Sequence, residues 1–234
     1  MGGRKREVRS EVHVQSPAPP SSSGGENPVD VSQSGIVHIV DDDRAVRESL
    51  GDLLESLNYK VALYASAADF LKVELSDAPA CLVLDVRLPG TSGLELQEYL
   101  TKINVGIPVI LMTAFGDIPM SVRGMKLGAV DFLTKPIRDQ DLLDAVTAAI
   151  RKDIDRRDDS AHIAQLQEKF SLLTARERQV MTLVTSGLMN KQVANELSIS
   201  EATVKMHRGS VMRKLGARTA AMLVRMAEAL QLQR

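Results

Sequence analysis

A run of four apolar residues, Cys81, Leu82, Val83 and Leu84, passes without a break into Asp85, and Pro89 and Gly90 close the stretch CLVLDVRLPG. An apolar run with no polar alternation reads as a strand buried on both faces, and such strands belong to parallel sheets covered by helices. Pro-Gly marks the turn that follows. Asp85 therefore falls at the carboxyl end of a buried strand, the edge where ligands and chemistry collect in open α/β sheets. A single aspartate there carries little weight, because many such residues only cap the next helix. What decides is whether other functional residues reach the same edge.

Four more segments have strand character. IVHIV (36–40) runs into Asp41, Asp42 and Asp43; residues 60–64 are short and β-prone; residues 108–112 end at Thr113; residues 130–134 end at Lys135-Pro136. Between them apolar residues recur at helical spacing: Val46, Leu50, Leu53, Leu54 and Leu57 within 44–57, a helix capped by Ser66 with Phe70 and Leu71 facing inward, then 93–103, 118–127 and a helix opening over 141–150. Five strand-then-helix units over about 115 residues demand a parallel sheet with helices on both faces. The simplest right-handed topology at this size is the flavodoxin-like order 2-1-3-4-5. In that order the first and third strands are neighbours, so Asp41, Asp42 and Asp85 share one crevice.

Three carboxylates in one pocket repel one another, and a hard divalent cation relieves the repulsion; all-oxygen ligation suits Mg²⁺. Thr113 and Lys135 end their strands on the same edge. Together these groups can hold a phosphoryl group: the metal and Lys135 neutralise its oxygens, Thr113 donates a hydrogen bond, and a carboxylate attacks in line. Each residue alone has an ordinary reading as a capping aspartate, a surface lysine or a buried threonine, and the weight lies in their convergence.

These pieces, VDDD (40–43), LVLDVRLPG (82–90), LMTA (111–114) and GAVDFLTKPI (128–137), resemble the receiver domain of a two-component response regulator, and GDIPMSVRGMKLGAVDF (116–132) is similar to its FixJ-type branch. The resemblance implies that Asp85 is the phosphoacceptor. It implies that Asp42, Asp85 and the backbone carbonyl of Arg87 ligate Mg²⁺, with Asp41 acting from behind them. Thr113 and Lys135 would sense the phosphoryl group, Phe132 would be the aromatic switch residue, and the Lys135–Pro136 peptide would be cis.

Outside this domain the sequence changes character. Residues 1–34 are rich in Ser, Pro and Gly and read as a disordered tail in which Arg4, Lys5, Arg6 and Arg9 are balanced by acidic residues. The basic start lacks the apolar core of a secretory signal, and no run approaches the length of a membrane span. The lone Cys81 sits in a core strand, so a cytoplasmic protein without membrane association is expected. Residues 151–170 are charge-rich; their spacing allows a helical linker, with a flexible connector as the alternative because Asp158, Asp159 and Ser160 interrupt it.

The net charge of -1 is unevenly spread: residues 171–234 hold ten Arg and Lys against four Asp and Glu, while the rest of the chain is acidic. Such asymmetry points to two domains with different partners, the basic one suited to a polyanion. Thr174 and Glu177 form a capping box for a helix that buries Val180, Leu183 and Val184 and stops at Gly187. A short helix over 191–197, the turn Ser198-Ile199-Ser200 and a helix over 201–215 have helix-turn-helix spacing, and Thr219 caps a fourth helix. Val204, Val211 and Leu215 form the buried stripe of the third.

Residues 173–230 resemble the LuxR/NarL-type DNA-binding domain through LTARERQV (173–180), NKQVANELSIS (190–200) and TVKMHRGSVMRKL (203–215). That implies Lys205 and Met206 near base edges, with Lys191, Thr203, Arg208 and Lys214 on phosphates. His207 reads slightly better as packing within the domain. Gly209 stands where relatives often place a side chain toward DNA, so a base preference cannot be borrowed from them.

The expectation is a receiver over 35–150, a helical linker over 151–170 and a helix-turn-helix domain over 171–234. The chain would be a transcription factor and not an enzyme, phosphorylated on Asp85 by a sensor histidine kinase. It would form a homodimer when phosphorylated, bind promoter DNA, engage RNA polymerase and, as the commoner role, activate transcription. Two rivals stand beside it. One is a Mg²⁺-dependent phosphatase using Asp41-x-Asp43, which leaves the Asp85 loop and the second domain unexplained. The other is a DNA-binding protein whose first domain ignores phosphate, which leaves Asp42, Asp85, Thr113 and Lys135 without a purpose.

Overall fold

The computed structural model describes residues 35–114 and 118–232. The expected tail over 1–34 lies outside the described residues, as do positions 116 and 117 of the FixJ-like stretch.

The first domain is a five-stranded parallel sheet in the order β2-β1-β3-β4-β5, with β1 at Ile36–Val40, β2 at Lys60–Tyr64, β3 at Ala80–Asp85, β4 at Val109–Thr113 and β5 at Asp131–Thr134. Every residue of β3 and β4 is buried, as apolar runs without alternation require. Alternate residues of β3 feed opposite layers: Cys81 and Val83 pack with Leu142, Val146 and Ile150, whereas Leu82 and Leu84 pack with Phe70, Leu94 and Leu100.

The connecting helices are α1 at Arg44–Ser56, α2 at Ala67–Phe70, α3 at Gly93–Lys102 and α4 at Ile118–Lys126. Their starts follow local chemistry: Asp43 accepts from the amides of Ala45 and Val46, and Ser92 with Glu95 makes a capping box. One expectation fails here. The helix after Ser66 lasts a single turn, and while Phe70 is buried, Leu71 is 44% exposed. Leu71 is already the C-cap, so the helical spacing that would turn it inward has ended.

Helix α5, Asp139–Ser171, runs for 33 residues, about 50 Å at the α-helical rise. Its first half covers the sheet through Leu142, Val146 and Ile150, and Leu166 enters the core of the second domain. Residues 151–170 are therefore helical, and Asp158, Asp159 and Ser160 do not break the helix. Asp153, fully buried at its middle, accepts from the Ala80 amide at 2.9 Å and pairs with Arg156 and Arg157, each at 2.7 Å. A buried carboxylate persists only when its acceptor sites are filled, and these three partners fill them. Arg157 also donates to the Asp77 carbonyl at 2.9 Å, so the helix is fastened to the start of β3 on two sides.

The second domain comprises α6 at Ala175–Thr185, α7 at Asn190–Glu196, α8 at Glu201–Leu215 and α9 at Ala220–Ala229. Val180, Val193 and Val204 form one small core; Met181, Val211, Leu215 and Leu223 form another. Ser200 caps α8, and Gly216, at φ 75°, ends it in the left-handed conformation that glycine adopts without strain.

Candidate phosphoryl and DNA-binding sites

The sheet register builds the first site. Val40 lies opposite Leu84, so Asp41 and Asp85 leave the sheet side by side. Thr113 pairs with Thr134, which sets Lys135 beyond the sheet edge, and the Lys135 amide donates to the Thr113 carbonyl at 2.8 Å. The Lys135–Pro136 peptide is cis.

Oxygens of Asp41, Asp42 and Asp85 lie within 4.8 Å of one another. Asp41 and Asp85 are buried and Asp42 faces solvent. The Lys135 ammonium bridges the two buried carboxylates, 2.6 Å from Oδ2 of each. The Arg87 amide donates to Asp85 Oδ1 at 3.0 Å and the Asp43 amide to Asp41 Oδ1 at 2.9 Å, so both carboxylates are oriented from two directions. Burial pushes the Asp41 carboxyl above the usual aspartate range, although the hydrogen bond and charge of Lys135 act against it. Burial is also the largest single influence on Lys135 and lowers it, but Asp41 and Asp85 together outweigh that and hold the ammonium above its ordinary pKa. A cationic lysine against three clustered carboxylates is the result.

The donor set fits Mg²⁺: hard carboxylate oxygens converge on one point, and Asp42 opens that point to water. Thr113 is fully buried at the end of β4. Phe132, on β5, is half-buried and packs against the core layer that holds Leu84 and Leu111. Asp43, the second acid of the phosphatase rival, spends its carboxylate on capping α1.

Gly93 was not anticipated as part of this site. A Cβ there would overlap the Asp85 carbonyl and lie 3.0 Å from Val86 Cα, all backbone atoms that cannot swing aside. The only sequence signal was a glycine at the first helical position after Ser92. Gly93→Ala is expected to cost about 2 kcal/mol of stability, as overpacking does, and to slow phosphorylation by displacing Asp85. A variant with wild-type urea midpoint and labelling rate would contradict this close approach.

The second site lies on α8. Lys205 and Met206 are exposed, Met206 by 62%. Lys191 is exposed in the first turn of α7. Thr203 is half-buried with its hydroxyl 2.8 Å from that of Ser200, and the Arg208 guanidinium reaches Asn190 Oδ1 at 3.4 Å. A Cβ at Gly209 would meet open space. Lys214 is held differently from the others: its ammonium donates to Glu177 Oε2 at 2.8 Å and to the Leu172 carbonyl at 3.1 Å. Glu177, 5% exposed, also accepts from the Ser210 hydroxyl at 2.5 Å and the Thr174 amide at 2.8 Å. Lys214, with the Ser210 and Thr174 hydrogen bonds, holds the Glu177 carboxyl at about 2.

Residues 37–147 match the family described as response regulator receiver domains, and residues 171–227 match the bacterial regulatory proteins of the luxR family. Nodulation protein W of Bradyrhizobium diazoefficiens is 51% identical over 201 residues, which span 86% of this chain and 88% of that protein. Transcriptional regulatory protein FixJ of Azorhizobium caulinodans is 43% identical over 82% of this chain and 90% of its own. Among solved structures, response regulator StyR is 49% identical with a TM-score of 0.71, covering 83% of this chain and 98% of that one.

Proposed function

Because the chain belongs to the two-component response regulators that join a receiver to a LuxR-type DNA-binding domain, and is thus a transcription regulator rather than an enzyme, we propose that Asp85 is its phosphoacceptor and α8 its reading helix. The observation that carries the first half is the Lys135 ammonium bridging Asp41 and Asp85 beside an open third carboxylate.

An Asp85 carboxylate oxygen attacks the phosphorus of a phosphohistidine on the partner kinase, the P–N bond breaks, and the imidazole leaves with its electron pair. Asp42, Asp85 and the Arg87 carbonyl would hold Mg²⁺, with Asp41 behind them. Bound there, the ion supplies positive charge to the phosphoryl oxygens. Lys135 is already in contact with Asp85, so it moves its charge to the phosphoryl group with little rearrangement. Thr113 follows as a hydrogen-bond donor, and Phe132 on the neighbouring strand shifts with it as the switch residue. The exposed Val122 and Met125 of α4 then become part of a dimer surface, which pairs two DNA-binding domains on half-sites of promoter DNA and brings them to RNA polymerase as an activator.

Lys205 and Met206 are the base readers; Lys191, Thr203 and Arg208 contact phosphates. Lys214 leaves that set, because its ammonium is engaged with Glu177 and Leu172. No helix among the described residues is long and apolar enough to cross a membrane, and the site of action is the cytoplasm.

The test is binding to DNA fragments selected from a random pool, with and without acetyl phosphate and Mg²⁺. Phosphorylation is expected to tighten binding and produce a dimer by sedimentation. Lys205→Ala is expected to weaken the selected sequence about tenfold while barely changing bulk DNA. Equal affinity with and without the phosphoryl donor would favour the phosphate-blind rival, and unchanged binding by Lys205→Ala would remove Lys205 as a reader.

A further inference from the structure

Helical spacing sets the outward face of α8. Val204, Val211 and Leu215 are buried in the domain, so the positions on the opposite side of the helix are Ala202, Met206, Gly209 and Arg213, four, three and four residues apart. All four are exposed. Gly209 lies within this face. Its neighbours on the helix surface, three and four residues away, are Lys205, Met206, Met212 and Arg213. Two thioethers and two cations therefore ring a position that has no side chain.

Nothing inside the protein calls for glycine there. A Cβ at Gly209 would have nothing within 4 Å, whereas one at Gly93 would strike backbone. The backbone does not need it either, because α8 runs unbroken through position 209 and Gly209 is not among the glycines with positive φ. A glycine inside a helix is less stable than an alanine, and no contact within the chain offsets that. The open notch is therefore suited to a group from outside. Its surround says which kind. Met206, 62% exposed, and the half-buried Met212 supply flexible apolar walls. Among the described residues no hydrogen bond or ion pair engages the head group of Lys205 or of Arg213. In the major groove only thymine presents a methyl group, and it does so beside the O4 acceptor.

We infer that the notch at Gly209 seats the C5-methyl group of a thymine, with the Met206 thioether along its side and the Lys205 ammonium on the O4 acceptor. The inference rests on the reading of α8 as the helix that enters the groove, and it names the base that this helix selects. Arg213, not so far among the DNA contacts, stands one turn beyond the notch and takes the adjoining phosphate. It supplies the contact that Lys214 does not, because the Lys214 ammonium is held by Glu177.

The test starts from a duplex enriched out of a random pool by the full chain in acetyl phosphate and Mg²⁺. Each thymidine of that duplex is then replaced in turn by deoxyuridine, which differs only in lacking the methyl group. At one thymidine in each half-site, wild type is expected to bind the deoxyuridine duplex about fourfold more weakly, the effect of one buried methyl group. Gly209→Ala puts a methyl group into the notch. Its affinity for the thymidine duplex should fall about tenfold. At the same position its preference should reverse, because deoxyuridine leaves room for the new Cβ. Its melting temperature should rise, since alanine is the better helix former and the Cβ meets open space, which separates lost binding from lost folding. Met206→Ala should bind the two duplexes alike. The inference is overturned if no thymidine methyl group affects wild-type binding, if Gly209→Ala keeps the wild-type preference for thymidine, or if Met206→Ala does. Lys205→Ala on the enriched duplex judges the reading of α8 separately: weakened binding upholds that reading whichever way the methyl comparison falls.

Discussion

Lys135→Ala is expected to lower the stability of the receiver by about 3 kcal/mol in metal-free buffer, the cost of removing one member of a buried charge cluster. Asp41 is fully buried, Asp85 nearly so, and the ammonium lies 2.6 Å from both. Without it two carboxylates remain in a poorly solvated site with no counter-charge. Added Mg²⁺ should then recover stability, because an ion that binds only the folded state shifts the unfolding equilibrium toward it. Wild type should gain less, since there Lys135 already supplies positive charge. Lys135→Met, which keeps most of the side-chain volume, separates charge from packing. Urea melts of the three proteins with chelator and with Mg²⁺ give the comparison. An equal Mg²⁺ response in all three would mean that lysine and metal do not answer the same carboxylate charge.

Glu177→Ala is expected to cost about 3 kcal/mol in the DNA-binding domain, since it removes a buried acceptor and leaves a lysine unpaired. One carboxylate joins the start of α6 to Ser210 and Lys214 on α8, so the loss should also misplace the reading helix and weaken DNA binding. The pH dependence has a defined sign. The folded-state pKa, about 2, lies below the ordinary value of 4.5. The stabilisation is therefore complete above pH 4.5, fades as the pH falls below it, and is lost on passing through about 2. The difference in unfolding free energy between wild type and Glu177→Gln should shrink over that window. A difference independent of pH would contradict the ion-paired state of Glu177.

Much of the receiver was legible because parallel strands buried on both faces leave uninterrupted apolar runs, and the residues after those runs land on one edge. From Val40 and Leu84 the positions of Asp41 and Asp85 follow almost directly. The side chains between elements were less legible. Lys135 reads as a group that waits for phosphate, and nothing local shows that it bridges two aspartates 50 and 94 residues away. Glu177 reads as a capping residue, which it is, but its pairing with Lys214 depends on how α6 crosses α8, so from sequence alone Lys214 reads as a phosphate contact. Asp153 sits in RKDIDRRDD, where it looks like one solvated charge among many. The arginines three and four residues on were a faint signal, and only the approach of the Ala80 amide makes it a buried anchor. Leu71 went the other way, an apolar residue at helical spacing left outside because its helix stops after one turn.

The measurement that bears most directly on the phosphoacceptor assignment is the intact mass of the full chain after incubation with acetyl phosphate and Mg²⁺, wild type beside Asp85→Asn. One phosphoryl adduct on wild type and none on Asp85→Asn is the expected result. An adduct of equal occupancy on both proteins, or none on wild type, would contradict it.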